Sequence, residues 1–142
     1  MVSARDRNQQ GQAQQARPRD ALGRPLPYGA TGVEPISEEP LPPEETLAYA
    51  RRLLDEGRPF AAHEALEVRW KSCPEEEREL WQGLAQLCVG LTHQARGNAV
   101  GASRLVERAA GRLAAYDHAA GPTYGLELAA LVACARVRVQ RT

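Results

Sequence analysis

Cysteine is scarce and poorly placed for a covalent framework. Cys73, Cys88 and Cys134 are odd in number, widely spaced and without a Cys-x-x-Cys pair, which argues against a disulfide scaffold and a thiolate zinc site. They read instead as small apolar residues on helices. No apolar run approaches the ~20 residues of a membrane span, and the polar N-terminus lacks the apolar stretch of a secretory signal, so a cytoplasmic protein without membrane association is expected. Gly-rich phosphate loops and a Gly-x-Ser-x-Gly elbow are missing, which leaves nucleotide binding by such a loop and serine nucleophile chemistry without support. At 142 residues the chain suits a single domain and leaves no room for a second catalytic one.

Net charge is also missing, since 18 Lys plus Arg balance 18 Asp plus Glu, but the balance is segregated along the chain. Residues 1–30 carry five Arg against two Asp, residues 31–80 carry thirteen acids against six bases, and residues 81–142 carry seven bases against three acids. Such asymmetry marks a partner surface or acids gathered at helix N-termini.

From Met1 to about Val33 the chain is Gln, Arg, Gly, Pro and Ala with almost no large apolar residue, too little to offset the entropy of ordering. Residues 1–40 are therefore predicted to be a disordered or extended arm and residues 41–142 the folded domain. Within the arm, Leu22-Gly-Arg-Pro-Leu-Pro-Tyr28 sets three apolar side chains between prolines and suits an extended strap docked on the domain.

Strand-like alternation is absent between Pro43 and Arg138, and helical periodicity fills the interval. Leu47, Ala50, Leu53 and Leu54 mark a first helix stopped by Gly57. A second runs from Pro59, suited to a first turn, to about Ser72. Pro74 and three glutamates open a third that ends near Gly97. Asn98 caps a fourth carrying Leu105, Ala109, Leu113 and Tyr116. A break at Gly121-Pro122 precedes a fifth from about Thr123 to Val139. The expected fold is all-α, a single-domain bundle of about five helices with a central helical hairpin. The fifth helix is apolar enough to pack across the bundle or to form a subunit contact.

The informative segment is Phe60-Ala-Ala-His63-Glu64-Ala-Leu-Glu67-Val-Arg-Trp70. Phe60, His63 or Glu64, Glu67 and Trp70 share one helical stripe, and aromatics at both ends point it inward. The third helix carries Gln82, Gln86 and His93 on one of its faces, expected to meet this stripe across an antiparallel pair. Three readings compete. His63 and Glu67, with His93 as a third ligand, suit a divalent metal, although neither the zinc-protease nor the di-iron bundle pattern is complete. Glu64 or Glu67 suits a general base in a small-molecule pocket. The third reading is a structural network of paired carboxylates, and it carries the most weight.

These residues resemble domain-of-unknown-function family 309, small all-helical proteins. The carriers are Phe60, Ala62-His63-Glu64-x-x-Glu67-x-x-Trp70, Gln82-Gly83-Leu84-x-Gln86 and His93-x-x-x-Gly97-Asn98 with Gly101-Ala102. The resemblance covers about Leu47 to Tyr116, and the Arg-rich arm is similar to that of actinobacterial members. It implies an all-helical fold and signature positions His63, Glu64, Glu67, Trp70, Gln82, Gly83, Gln86 and His93, and no activity. The expected role is a binding or interaction module for a protein partner or a second copy, its polar cluster structural. The alternative is a metal-dependent or acid/base enzyme acting on a small molecule. Nucleic-acid binding is disfavoured, because the Arg104, Arg108 and Arg112 row is interrupted by Glu107 and reads as a solvated face.

Overall fold

The computed structural model describes residues 18–140. Five helices follow one another: α1 (Pro43–Asp55), α2 (Pro59–Ser72), α3 (Arg78–Ala95), α4 (Ala99–His118) and α5 (Leu128–Gln140), with a single 3-10 turn (Glu75–Glu77) leading into α3. Among the described residues there is no strand, only one isolated bridge between Arg19 and Pro25. The all-helical reading holds.

Local chemistry sets most boundaries. Pro43 and Pro59 occupy first-turn positions of α1 and α2, where a missing N–H costs nothing. Gly57 and Gly97 end α1 and α3 at φ 74° and 84°, angles that favour glycine. The Asn98 side chain accepts from the Gly101 amide at 3.0 Å and so caps α4. The exception is α5, which begins at Leu128 rather than near Thr123. Tyr124 at φ 53° and Gly125 at φ 84° turn the chain through the left-handed region, where a helix cannot propagate. Tyr116 and Tyr124 hold this connection, the first by donating to the Pro122 carbonyl at 2.7 Å and the second by donating to Glu77 at 2.9 Å.

Helix α3 is the hub, packed against α2, α4 and α5. It contributes Leu80, Trp81, Leu84, Leu87 and Leu91 to the core, which they share with Leu53, Leu66, Val106 and Leu113. Each such Leu withdrawn from water contributes roughly 1.5–3 kcal/mol before entropy is charged. Two glycines set the close approach of α3 to α4. A Cβ on Gly83 would stand 2.6 Å from Leu113 Cδ2, and one on Gly90 would stand 2.9 Å from Val106 Cγ2. Helix α5 buries Leu128, Val132, Ala135 and Val139, and leaves Cys134 and Val137 exposed. No helix among the described residues is long and apolar enough to cross a membrane.

Residues 18–33 form a compact loop laid on the helices. The Asp20 carboxylate accepts from the amides of Leu22 (3.0 Å) and Arg24 (2.9 Å) and from Arg24 Nε (2.7 Å), which closes the turn locally. Leu26 donates to the Pro18 carbonyl at 2.8 Å and Val33 to that of Arg19 at 2.9 Å. The part of the expected disordered arm at residues 1–17 lies outside the described residues.

Candidate functional site

The site grows from the first two turns of α2. His63 is 8 % exposed. Its Nδ1 lies 2.7 Å from the Phe60 carbonyl, and its Nε2 lies 2.9 Å from Glu67 Oε1. A carbonyl oxygen only accepts, so Nδ1 carries a hydrogen. One proton must then lie between Nε2 and the carboxylate. Burial pushes the Glu67 carboxyl up, but the hydrogen bond and charge of His63 outweigh it and hold the carboxyl below its ordinary range. Both side chains are thus occupied by partners within one helix.

Glu64, one residue on, is half-buried and behaves oppositely. Burial raises its carboxyl above the ordinary value, against the attraction of His63, Arg19 and Arg58. Arg19 belongs to the loop before α1. Its guanidinium lies 5.1 Å from the Phe60 ring centroid, and that of Arg96, just past α3, lies 5.8 Å from the same ring. Between them Gly23 is buried directly on Phe60: a Cβ there would stand 2.1 Å from Phe60 Cγ, and its φ of 78° also favours glycine. Arg96 Nε donates to the Leu22 carbonyl at 2.9 Å, and Arg58 donates to the Glu34 carbonyl. Phe60, Glu64, Arg58 and Arg96 therefore make a seat in which residues 18–34 are held.

Gln82 and Gln86 of α3 meet α4, where they were expected to face the polar stripe of α2. Arg112 of α4 donates to Gln86 at 3.3 Å, to Gln82 at 3.2 Å and to Glu79 at 2.5 Å. A guanidinium has donors enough for all three, and α3 meets α4 along the glycine faces that carry these side chains across. His93 is likewise engaged elsewhere, accepting at Nδ1 from the Asn98 amide group at 2.9 Å. His63 and Glu67 are brought together, and His93 is not grouped with them: among the described residues no three His, Cys, Asp or Glu side chains are gathered as a metal would require. Trp70 lies under the Arg78 guanidinium, 4.4 Å from its ring centroid, and its indole N–H has no acceptor among the described residues.

A second polar centre was not anticipated from sequence. Glu77, 6 % exposed, accepts from Trp81 Nε1 at 3.1 Å and from the Tyr124 hydroxyl, while Arg69 Nη2 stands 3.7 Å away. Glu77 is the last of three consecutive glutamates, and nothing in the run distinguishes the buried one. The seat was missed for a different reason. Arg19, Gly23, Arg58 and Arg96 converge from distant segments, and the available signal was that the sole Phe of the chain opens the His-Glu stripe.

Comparison with known proteins bears on part of the chain. The family model described as Domain of unknown function (DUF309) matches residues 47–105, from within α1 through α2 and α3 to the first turns of α4. The chain is 39 % identical over 69 residues to the uncharacterized protein YpuF of Bacillus subtilis. That alignment covers 48 % of this chain and 39 % of YpuF, so the similarity spans well under two thirds of the relative. No solved structure matches.

Proposed function

We propose that the chain is a helical interaction module whose binding surface is the seat formed by Phe60, Glu64, Arg58 and Arg96. The observation that carries this reading is the manner in which residues 18–34 are held. Two arginines donate to main-chain carbonyls of Leu22 and Glu34, and Gly23 stacks on an aromatic face. Recognition through carbonyls and backbone shape suits an extended or turn-forming polypeptide, whatever many of its side chains are. The polar residues that invite a catalytic reading are satisfied within the bundle, His63 by Phe60 and Glu67, and Gln82 and Gln86 by Arg112. They support the seat by fixing the first turns of α2 and the α3–α4 pair. The free thiols of Cys73, Cys88 and Cys134 support a cytoplasmic setting.

The test uses the full chain carrying Gly23→Val. The new side chain has no room over Phe60, so residues 18–33 leave the seat while the helices stay folded by circular dichroism. Hydrogen exchange at residues 18–33 should then rise to the rate of an open loop, and an added synthetic peptide of residues 18–34 should bind and shift the amide resonances of Phe60 and Arg96. Released loop with no binding of the peptide sinks the proposal.

A further inference from the structure

The occupant of the seat carries information about which polypeptides fit it. Arg19 stacks on Phe60 and at the same time donates through Nη1 to the Gly23 carbonyl at 2.6 Å, so a single guanidinium both contacts the seat and closes the turn that presents Gly23. An ammonium lacks the flat face and the fork needed for both tasks. Asp20 completes the turn by accepting from the amides of Leu22 and Arg24. On the domain side Phe60 leaves no space for a Cβ at the glycine, and Glu64 lies within electrostatic reach of the Arg19 guanidinium. Outside the arginine and the glycine, Arg96 and Arg58 donate to the carbonyls of Leu22 and Glu34.

Resting on the reading of the seat as a binding surface, we propose that it is a reader of arginine–glycine turns: its partner is a polypeptide that presents an arginine four residues before a left-handed glycine. The chain's own residues 19–23 are a built-in competitor for that partner. Phe60 and Glu64 select the guanidinium, the Phe60 ring excludes any residue but glycine, and Arg96 and Arg58 hold the main chain. Tethering in cis gives the competitor an effective concentration of order millimolar, so the wild-type chain admits only partners that bind well or arrive in high local concentration. Residues 35–42, with Pro35, Pro40 and Pro42 and with Ile36 packed against the core, connect the competitor to α1.

The experiment measures fluorescence anisotropy of labelled peptides of residues 18–34 against two full-length chains, wild type and Gly23→Val. The native peptide should bind the Gly23→Val chain at least about tenfold more tightly than the wild type, whose seat is already taken. On the Gly23→Val chain, an Arg19→Ala peptide should lose about tenfold, from one stacked guanidinium and one charge-assisted hydrogen bond, and an Arg19→Lys peptide should recover only part of it. A Gly23→Val peptide should not bind. Adding Glu64→Gln to the chain should shrink the ratio between native and Arg19→Ala peptides, and raised salt should do the same. Native and Arg19→Ala peptides that bind equally overturn the guanidinium readout while leaving the seat intact. Failure of every peptide to bind removes the underlying binding surface instead. Wild-type chains that dimerise and lose the dimer on Gly23→Val show that the occupant is a second copy, which overturns the proposal of a separate partner.

Discussion

The His63–Glu67 pair is the sharpest point at which the geometry commits to a number. Replace His63 by Ala, Glu67 by Ala, and both, and measure unfolding by urea at pH 7. The hydrogen bond is charge-assisted at 2.9 Å, a class worth about 1.5–3 kcal/mol when well enclosed. The side chains are 10 % and 18 % exposed, so solvent screens the pair in part, and a coupling of about 1–2 kcal/mol is expected. The single variants should each cost more than the coupling, His63→Ala about 2–3 kcal/mol because it also abandons the Phe60 carbonyl and its ring contact at 4.8 Å. In melting temperature this is roughly 3–5 °C for each kcal/mol in a chain of this size. The sign with pH is fixed as well. Glu67 titrates below its ordinary value in the folded chain, so the stability it contributes is complete above the ordinary carboxylate range and is lost as pH falls through the lower folded value. The coupling should therefore be lost as acid carries the medium down through the carboxylate range, below about pH 4. A coupling under about 0.3 kcal/mol at pH 7, or one that survives protonation of the carboxylate unchanged, refutes the pairing.

Glu64→Gln should act in the opposite sense to Glu67→Ala. The folded Glu64 carboxyl sits above its ordinary value because of burial, so its contribution is full below that value and is lost as pH rises through the folded one. The amide removes that loss, and stability at pH 7 should rise by a few tenths to about 1 kcal/mol, with the gain vanishing in acid. A gain that persists unchanged in acid contradicts burial as the cause. Two glycines on neighbouring helices should also part company: Gly83→Ala drives a methyl into the fully buried Leu113 and should cost about 1–3 kcal/mol, whereas nothing lies within 4 Å of a Cβ on Gly111, where Ala should gain about 0.5–1 kcal/mol. Equal signs in urea titrations would show that α3 and α4 are not in close contact. Thiol reactivity should rank by burial: exposed Cys134 reacts with an aromatic disulfide at once, Cys73 more slowly because burial pushes its thiol up, and Cys88, with its thiol pushed up to about 12, only on unfolding. Prompt reaction of two or more thiols in the folded chain would contradict that order.

The helices were legible because their signals are local. Pro59, Asn98 and Gly97 each settle a boundary through the groups of one turn, and the apolar spacing of Leu80, Leu84, Leu87 and Leu91 names a buried face. Spacing names faces and leaves their neighbours open. On a central helix several faces point inward, so Gln82 and Gln86 were read as facing α2 when they meet Arg112 of α4. The start of α5 was misplaced for a backbone reason, since a tyrosine at φ 53° has no sequence signature comparable to a glycine. The inward stripe was legible in His63 and Glu67, which find each other four residues apart. The seat was not, because Gly23 and Phe60 are joined by the folding of the whole chain and by no periodicity.

The segregated charge gains a physical meaning from these contacts. The acidic middle of the chain is met by basic groups from both flanks: Arg112 of the later helices reaches Glu79, and Arg19 of the early segment stands within the field of Glu64. These two contacts differ in kind. Arg112 is committed to three acceptors between packed helices, and removing it leaves Gln82, Gln86 and Glu79 without a shared donor, a cost borne by the fold. Arg19 is carried on a segment whose hold on the domain includes one stacked ring, one glycine contact and two arginine bonds to carbonyls. No core residue lies within residues 18–33, so detaching it should leave the helices folded. Charge complementarity that can be withdrawn without unfolding is the property a replaceable occupant needs. Arg112→Ala should therefore lower the melting temperature by several degrees, while Arg19→Ala should leave it within about 1–2 °C and speed hydrogen exchange in residues 18–33 alone. Matched losses of melting temperature in the two variants would make the early segment part of the fold and end its role as an exchangeable ligand.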